Sequence, residues 1–182
     1  KVSKKLNLNN NFEIQDLFKF DKKGFDLILS IGVLHHTNDC LGALDHICKL
    51  GKEKTNIFVG LYHKFGRKPF LDFVASIKHL NEKEKFKRYK DIHKLTDEIH
   101  LRSWFRDQVL HPHETQHTLK EVIEIFEKNN YIFKGTSINH FDGNDSLNKI
   151  FEKENKLLDY AKEKIKNKIY YPGFFIVRGE KK

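Results

Sequence analysis

At 182 residues the chain is long enough for one domain with a core of its own, and its 38% hydrophobic and 13% aromatic residues are those of a globular protein. No apolar run approaches the roughly 20 residues of a transmembrane helix, and the opening KVSKKLNLNNN lacks the apolar h-region of a signal peptide, so no membrane partner and a cytoplasmic location are expected. The formal net charge of +9 admits an anionic partner, but the chain is also rich in Lys, Asn and Ile with only five Arg, a bias that scatters lysine over any surface.

The chain contains no Met and begins with Lys1, which leads to the expectation of a fragment or processed piece. Residues 1–8 read as the end of a helix, with Asn9 to Asn11 as the break. Phe12 to Phe20, FEIQDLFKF, alternates Phe12 and Ile14 with Glu13 and Gln15 and reads as a strand followed by a loop. Asp21 to Gly24 is a turn. Phe25 to Thr37, FDLILSIGVLHHT, begins as a nearly continuous apolar run, the pattern of a parallel strand covered on both faces. Its end turns small and polar at Ser30, Gly32, His35, His36 and Thr37, where open α/β sheets bind ligands.

Asn38 or Asp39 can cap a helix over about 39–50, carried by Leu41, Leu44, Ile47 and Cys48 and stopped at Gly51. Cys40 and Cys48, eight apart, suit no common zinc spacing and read as reduced core thiols. Residues 52–55 are a polar loop, and Asn56 to Tyr62, NIFVGLY, is another buried strand. Strand, helix and strand form a βαβ unit, whose strands should be parallel.

Residues 63–110 break the rhythm as a helical insertion in the position of a lid. Between Lys64 and Lys90 there are nine Lys or Arg against three Asp or Glu, a local net of +6. Phe70, Phe73, Val74, Ile77 and Leu80 form a helical stripe, and a second helix covers 91–108 with Trp104 and Phe105. Thr118 and Glu121 make a capping box for a helix ending at Asn129 and Asn130. A strand over Tyr131–Phe141, a turn at Asp142–Asp145, a long amphipathic helix over Ser146–Lys168 and a closing strand over Tyr171–Gly179 complete a single domain.

The Phe-Asp opening of FDLILSIGVLHHT, its small polar end and its Leu-His pair resemble the fourth strand of class I S-adenosylmethionine-dependent methyltransferases. FEIQDLFKF resembles that family's third strand, and GLYHKFGR, HPHETQHTLKEV and the closing GFFIV resemble a subgroup of uncharacterised members. The resemblance implies an α/β, Rossmann-like fold with a mostly parallel sheet. It also implies methyl transfer from S-adenosyl-L-methionine to a small-molecule acceptor, with the basic lid favouring an anionic one. Asp16 would accept from the adenine amino group and Leu17 would contact adenine. Ser30, Ile31, Gly32 and Leu34 would flank the methionine moiety. His35 and His36 stand where a base could act, and Tyr62, His63, Trp104, His111 and His113 fall on the acceptor and lid side. The family's glycine-rich cofactor turn is absent: no Gly precedes Asp16. The expectation is a partial domain whose N-terminal strands are missing.

Two other readings compete. His113-Glu114-Thr115-Gln116-His117 matches the H-E-x-x-H zinc signature of metalloproteases, a zinc-dependent hydrolase reading with His113 and His117 as ligands and Glu114 as base, but Pro112 precedes it, Thr115 and Gln116 are polar, and the capping box starts the helix only at Thr118. No metal ligand is assigned. A nucleic-acid-binding module, or an RNA methyltransferase, would set Lys83, Lys85, Lys87, Arg88 and Lys90 against phosphates with Phe86 and Tyr89 between them.

Overall fold

The computed structural model describes residues 5–7, 9–93, 95–111 and 113–182. The expected helix end over 1–8 and the role assigned to Pro112 fall outside this set in whole or part.

Among the described residues four strands form one sheet in the order β1-β2-β4-β3: β1 Phe25–Ile31, β2 Gly51–Tyr62, β3 Tyr131–Thr136 and β4 Phe174–Lys181. β1 and β2 are parallel and joined through α1 (Cys40–Cys48), as the βαβ reading requires. β4 runs antiparallel to both β2 and β3, so β1, β2 and β3 point one way and β4 alone is reversed.

α1 starts where the Asp39 carboxylate accepts from the Gly42 amide. Its Ala43, Leu44, Ile47 and Cys48 are buried against the sheet. α5 (Leu119–Lys128) opens on the expected Thr118–Glu121 capping box and buries Leu119, Val122, Ile123 and Phe126, a helical i, i+3, i+4, i+7 stripe. Both stripes meet Ile57, Val59, Leu61, Phe175 and Val177 in the main core.

The edge strand β1 departs from expectation. Its outer edge pairs with no described strand, and Leu27, Leu29 and Ile31 are 52%, 64% and 45% exposed. Only Ile28 packs against the core. The apolar run foretold cover on both faces, but helices α1 and α5 cover one. Phe12–Gln15 forms no strand, with Phe12 and Ile14 on the surface, and no described strand lies beside it to offer a ladder.

Other boundaries moved for local reasons. β2 takes in the polar 51–55 segment, since a register shift opposite Phe25–Leu27 lets it keep pairing. The described residues of the lid hold three helices, α2 (Lys64–Ser76), α3 (Glu82–Asp91) and α4 (Glu98–Gln108), separated where Asn81 and Asp97 cap new starts. Phe70, Phe86, Tyr89, Leu101 and Phe105 give the lid its own small core. The last long helix is two, α6 (Leu147–Asn155) and α7 (Leu157–Lys166), broken at Lys156. The strand over 131–141 stops at Thr136, because Ser137–Asn139 coils into a 3-10 turn and His140 and Phe141 are left-handed.

Candidate functional site

A cleft of about 290 Å³ opens beyond the carboxyl ends of β1 and β2. Strand ends supply Gly32, His35, His36 and Tyr62; α4 of the lid supplies Trp104, Asp107 and Gln108; the segment entering β4 supplies Tyr170, Pro172 and Phe174. Gly32 has φ +74°, a left-handed conformation that costs glycine little, and nothing stands within 4 Å of where a Cβ would be.

The chain leaves β1 into a 3-10 turn at Leu34–His36. Leu34 goes into the main core at 1% exposed, so its side chain is not available to a ligand, contrary to expectation. His35 is equally buried, with its ring centroid 4.2 Å from Tyr62 and 4.3 Å from His36. Its carbonyl accepts from the Thr115 amide at 2.8 Å, while its Nδ1 has no partner among the described residues. Burial, then the nearby His36 and Arg67, pushes the His35 pKa down to about 3. His35 is therefore neutral and a weak base.

His36 is placed differently. Its Nδ1 donates to the His113 carbonyl at 2.9 Å, which leaves the Nε2 lone pair of the neutral ring with no hydrogen-bond partner among the described residues. His111 packs on its face at 3.9 Å. His113 in turn donates through Nε2 to the Thr37 carbonyl at 3.1 Å. The 113–117 segment is thus strapped onto the 34–37 turn and onto β2, where the His117 amide donates to the Tyr62 carbonyl at 2.9 Å.

This strap disposes of the H-E-x-x-H geometry. Residues 113–116 are not helical, so His113 and His117 share no helix face. Glu114 faces Arg67 in a two-point ion pair, Nε–Oε1 3.0 Å and Nη2–Oε2 2.8 Å. The Arg67 guanidinium also donates to the Pro172 carbonyl and lies 3.8 Å from the Tyr62 ring centre.

His63 does not face the cleft, contrary to expectation. It is fully buried; its Nδ1 accepts from the Phe65 and Gly66 amides and caps α2, so Nε2 carries the proton and donates to Glu154 at 2.8 Å. The capping function of the residue after β2 explains its position. Tyr62 does line the cleft, and burial holds its phenol protonated, with the pKa raised to about 12. Trp104 lines it as well, stacked on Tyr170 at 4.5 Å and 20°.

The remaining assigned residues are less tightly placed. The Asp16 carboxylate caps its own 3-10 turn by accepting from the Phe18 amide at 3.0 Å. Leu17 packs on the main core. Neither they nor Ser30 and Ile31 line the cleft. Asp107, Gln108, Tyr170 and Phe174 line it without having been singled out. They come from segments far apart in sequence and carry no local motif.

The lid's charge lies elsewhere. Lys83, Lys87, Arg88 and Lys90 line surface hollows among Glu84, Asp91 and Glu98 on α3 and α4. Phe86 and Tyr89, needed as base-stacking platforms by the nucleic-acid reading, are buried inside the lid.

Sheet order, the single reversed strand and the cleft beyond the carboxyl ends of β1 and β2 make this a Rossmann-like α/β fold, of the kind found in solved methyltransferases. Among solved structures the chain is similar to PKMT2 from Rickettsia typhi, at TM-score 0.63 and 16% identity over 98% of this chain and 40% of that one. The same protein in complex with AdoHcy gives 0.62 and 15% over the same shares. A lower likeness, TM-score 0.47 at 13% identity over 92% of this chain and 49% of that one, is to magnesium protoporphyrin IX methyltransferase (ChlM) from Synechocystis PCC 6803 with bound SAH. The chain spans about 40% of the length of PKMT2. No protein-family model and no curated protein matches it. Among the described residues, no helix is long and apolar enough to cross a membrane.

Proposed function

We propose that the chain serves methyl transfer from S-adenosyl-L-methionine to a small-molecule acceptor held in the cleft. The observation that carries this reading is the likeness of nearly the whole chain to the fold of PKMT2, solved with AdoHcy. The open space over Gly32 suits a cofactor that must approach the backbone. Ser30 to Gly32 would flank its methionine part, and Asp16 and Leu17 its adenine. The cofactor supplies a methyl group already activated by a sulfonium charge.

The chain's own work is then to orient the acceptor and exclude water. Tyr62, Trp104, Tyr170 and Phe174 wall the cleft with apolar rings. His36, with its Nε2 lone pair open, is the proton acceptor where one is needed, and His113 and His111 fix its ring. His35, held neutral by burial, packs and positions. His113 thus acts through His36 rather than on the acceptor. The lid's cations do not line the cleft, so they lend no support to an anionic acceptor there.

Calorimetry with S-adenosylhomocysteine on the intact protein tests the reading. Saturable binding that weakens in Asp16→Ala is expected. Absence of measurable binding would refute it.

A further inference from the structure

The acceptor side of the cleft carries an unusual combination. Four rings, Tyr62, Trp104, Tyr170 and Phe174, line it beside His35 and His36 and are held at fixed angles: Trp104 stacks on Tyr170, and Tyr62 meets Phe174 edge-on at 6.0 Å and 84°. The Gln108 amide ties down the Tyr170 hydroxyl. One carboxylate, Asp107, stands on the same wall, one helical turn along α4 from Trp104. Among the described residues no lysine or arginine lines the space. The Arg67 guanidinium, 3.8 Å from the Tyr62 ring centre, has its charge matched by Glu114.

Aromatic faces attract a cation through their ring quadrupoles, more strongly where the cation is desolvated. A neutral apolar ligand would need the rings but not Asp107, and an anion would be repelled by Asp107 and by the ring faces. We propose that the cleft selects an acceptor bearing an alkylammonium group, held among the four rings with Asp107 as its counter-charge. Calling that ligand the acceptor rests on the methyl-transfer reading. The amine reacts as its free base: the ammonium gives a proton to His36 Nε2, and the nitrogen lone pair forms the new N–CH3 bond. The carbon–sulfur bond breaks, its electron pair returns to sulfur, and the positive charge passes to nitrogen. Methylated product keeps a charge that the rings can still hold.

Choline and its uncharged isostere 3,3-dimethylbutan-1-ol test this directly, because they differ in charge and hardly in shape. Titrated into the intact protein and followed by NMR, choline should bind at least tenfold more tightly. Asp107→Asn, at an exposed position that does not threaten folding, should weaken choline severalfold and leave the alcohol unchanged; Trp104→Leu should weaken both, choline more. Equal affinities for the two probes, or an Asp107→Asn protein that binds choline as before, would overturn the proposal. Displacement of choline by S-adenosylhomocysteine would assign the rings to the cofactor and overturn the acceptor role. Choline selectivity without any S-adenosylhomocysteine binding would leave the cation site standing and sink the methyl-transfer reading instead.

Discussion

Arg67 and Glu114, 47 residues apart, form a buried two-point ion pair that fastens the His113–His117 strap to the first lid helix. The same guanidinium reaches the Pro172 carbonyl and covers the Tyr62 ring. One side chain therefore joins three segments around the cleft. Removing one partner leaves a buried charge unmatched, which costs on the order of 3–5 kcal/mol. Glu114→Ala should lose that much in urea denaturation, and Arg67→Met with Glu114→Leu should recover most of it.

Acid should destabilise the fold through its buried histidines. His35 is held down to about 3 and His93 to about 4, both mainly by burial. The unfolded chain protonates these rings near pH 6.5 while the folded one does not. Their contribution is complete above about pH 6.5 and is lost as pH falls toward 3 and 4. Urea midpoints should drop across that window, and His35→Gln should flatten the slope.

Gly173 carries φ +66°, and a Cβ there would run into the Arg67 backbone. Gly173→Ala should cost at least the 1–3 kcal/mol or so of a strained left-handed residue and should disturb Phe174 at the cleft. Thr118→Ala makes a useful contrast: it removes the α5 capping box, at about 1 kcal/mol, on an element that does not line the cleft.

Both thiols should be nearly inert in the native protein. Burial pushes Cys40 up to about 11 and Cys48 to about 12, leaving little thiolate at neutral pH. Reaction with a disulfide reagent at pH 8 should be slow and should become fast and complete for both in urea.

Much of the frame was legible because it obeys local rules. The βαβ unit followed from two apolar runs joined by an Asp39-capped helix, and α5 from its capping box. The burial of β1 was misread because apolar periodicity reports what a strand can bury, and only one face here is covered. The lid's helix count was misread because the mostly charged Glu82–Asp91 helix carries little apolar signal, and the helix expected over 91–108 ran across the Asp97 cap. At the site, the Leu34–His36 turn and Tyr62 were visible as a strand's polar end. Asp107, Tyr170 and Phe174 were not, since three distant segments meet only in the folded chain. His63 looked like a cleft residue by adjacency, yet its ring turns inward to cap α2 and meet Glu154.

The most direct test of the central claim is a chemical-shift map of the intact protein titrated with S-adenosylhomocysteine. Methyl transfer at this cleft predicts saturable shifts concentrated at Ser30–His36 and at Asp16–Leu17, with the lid's outer α3 unaffected. Absence of shifts at saturating ligand, or shifts confined to α3, would contradict it.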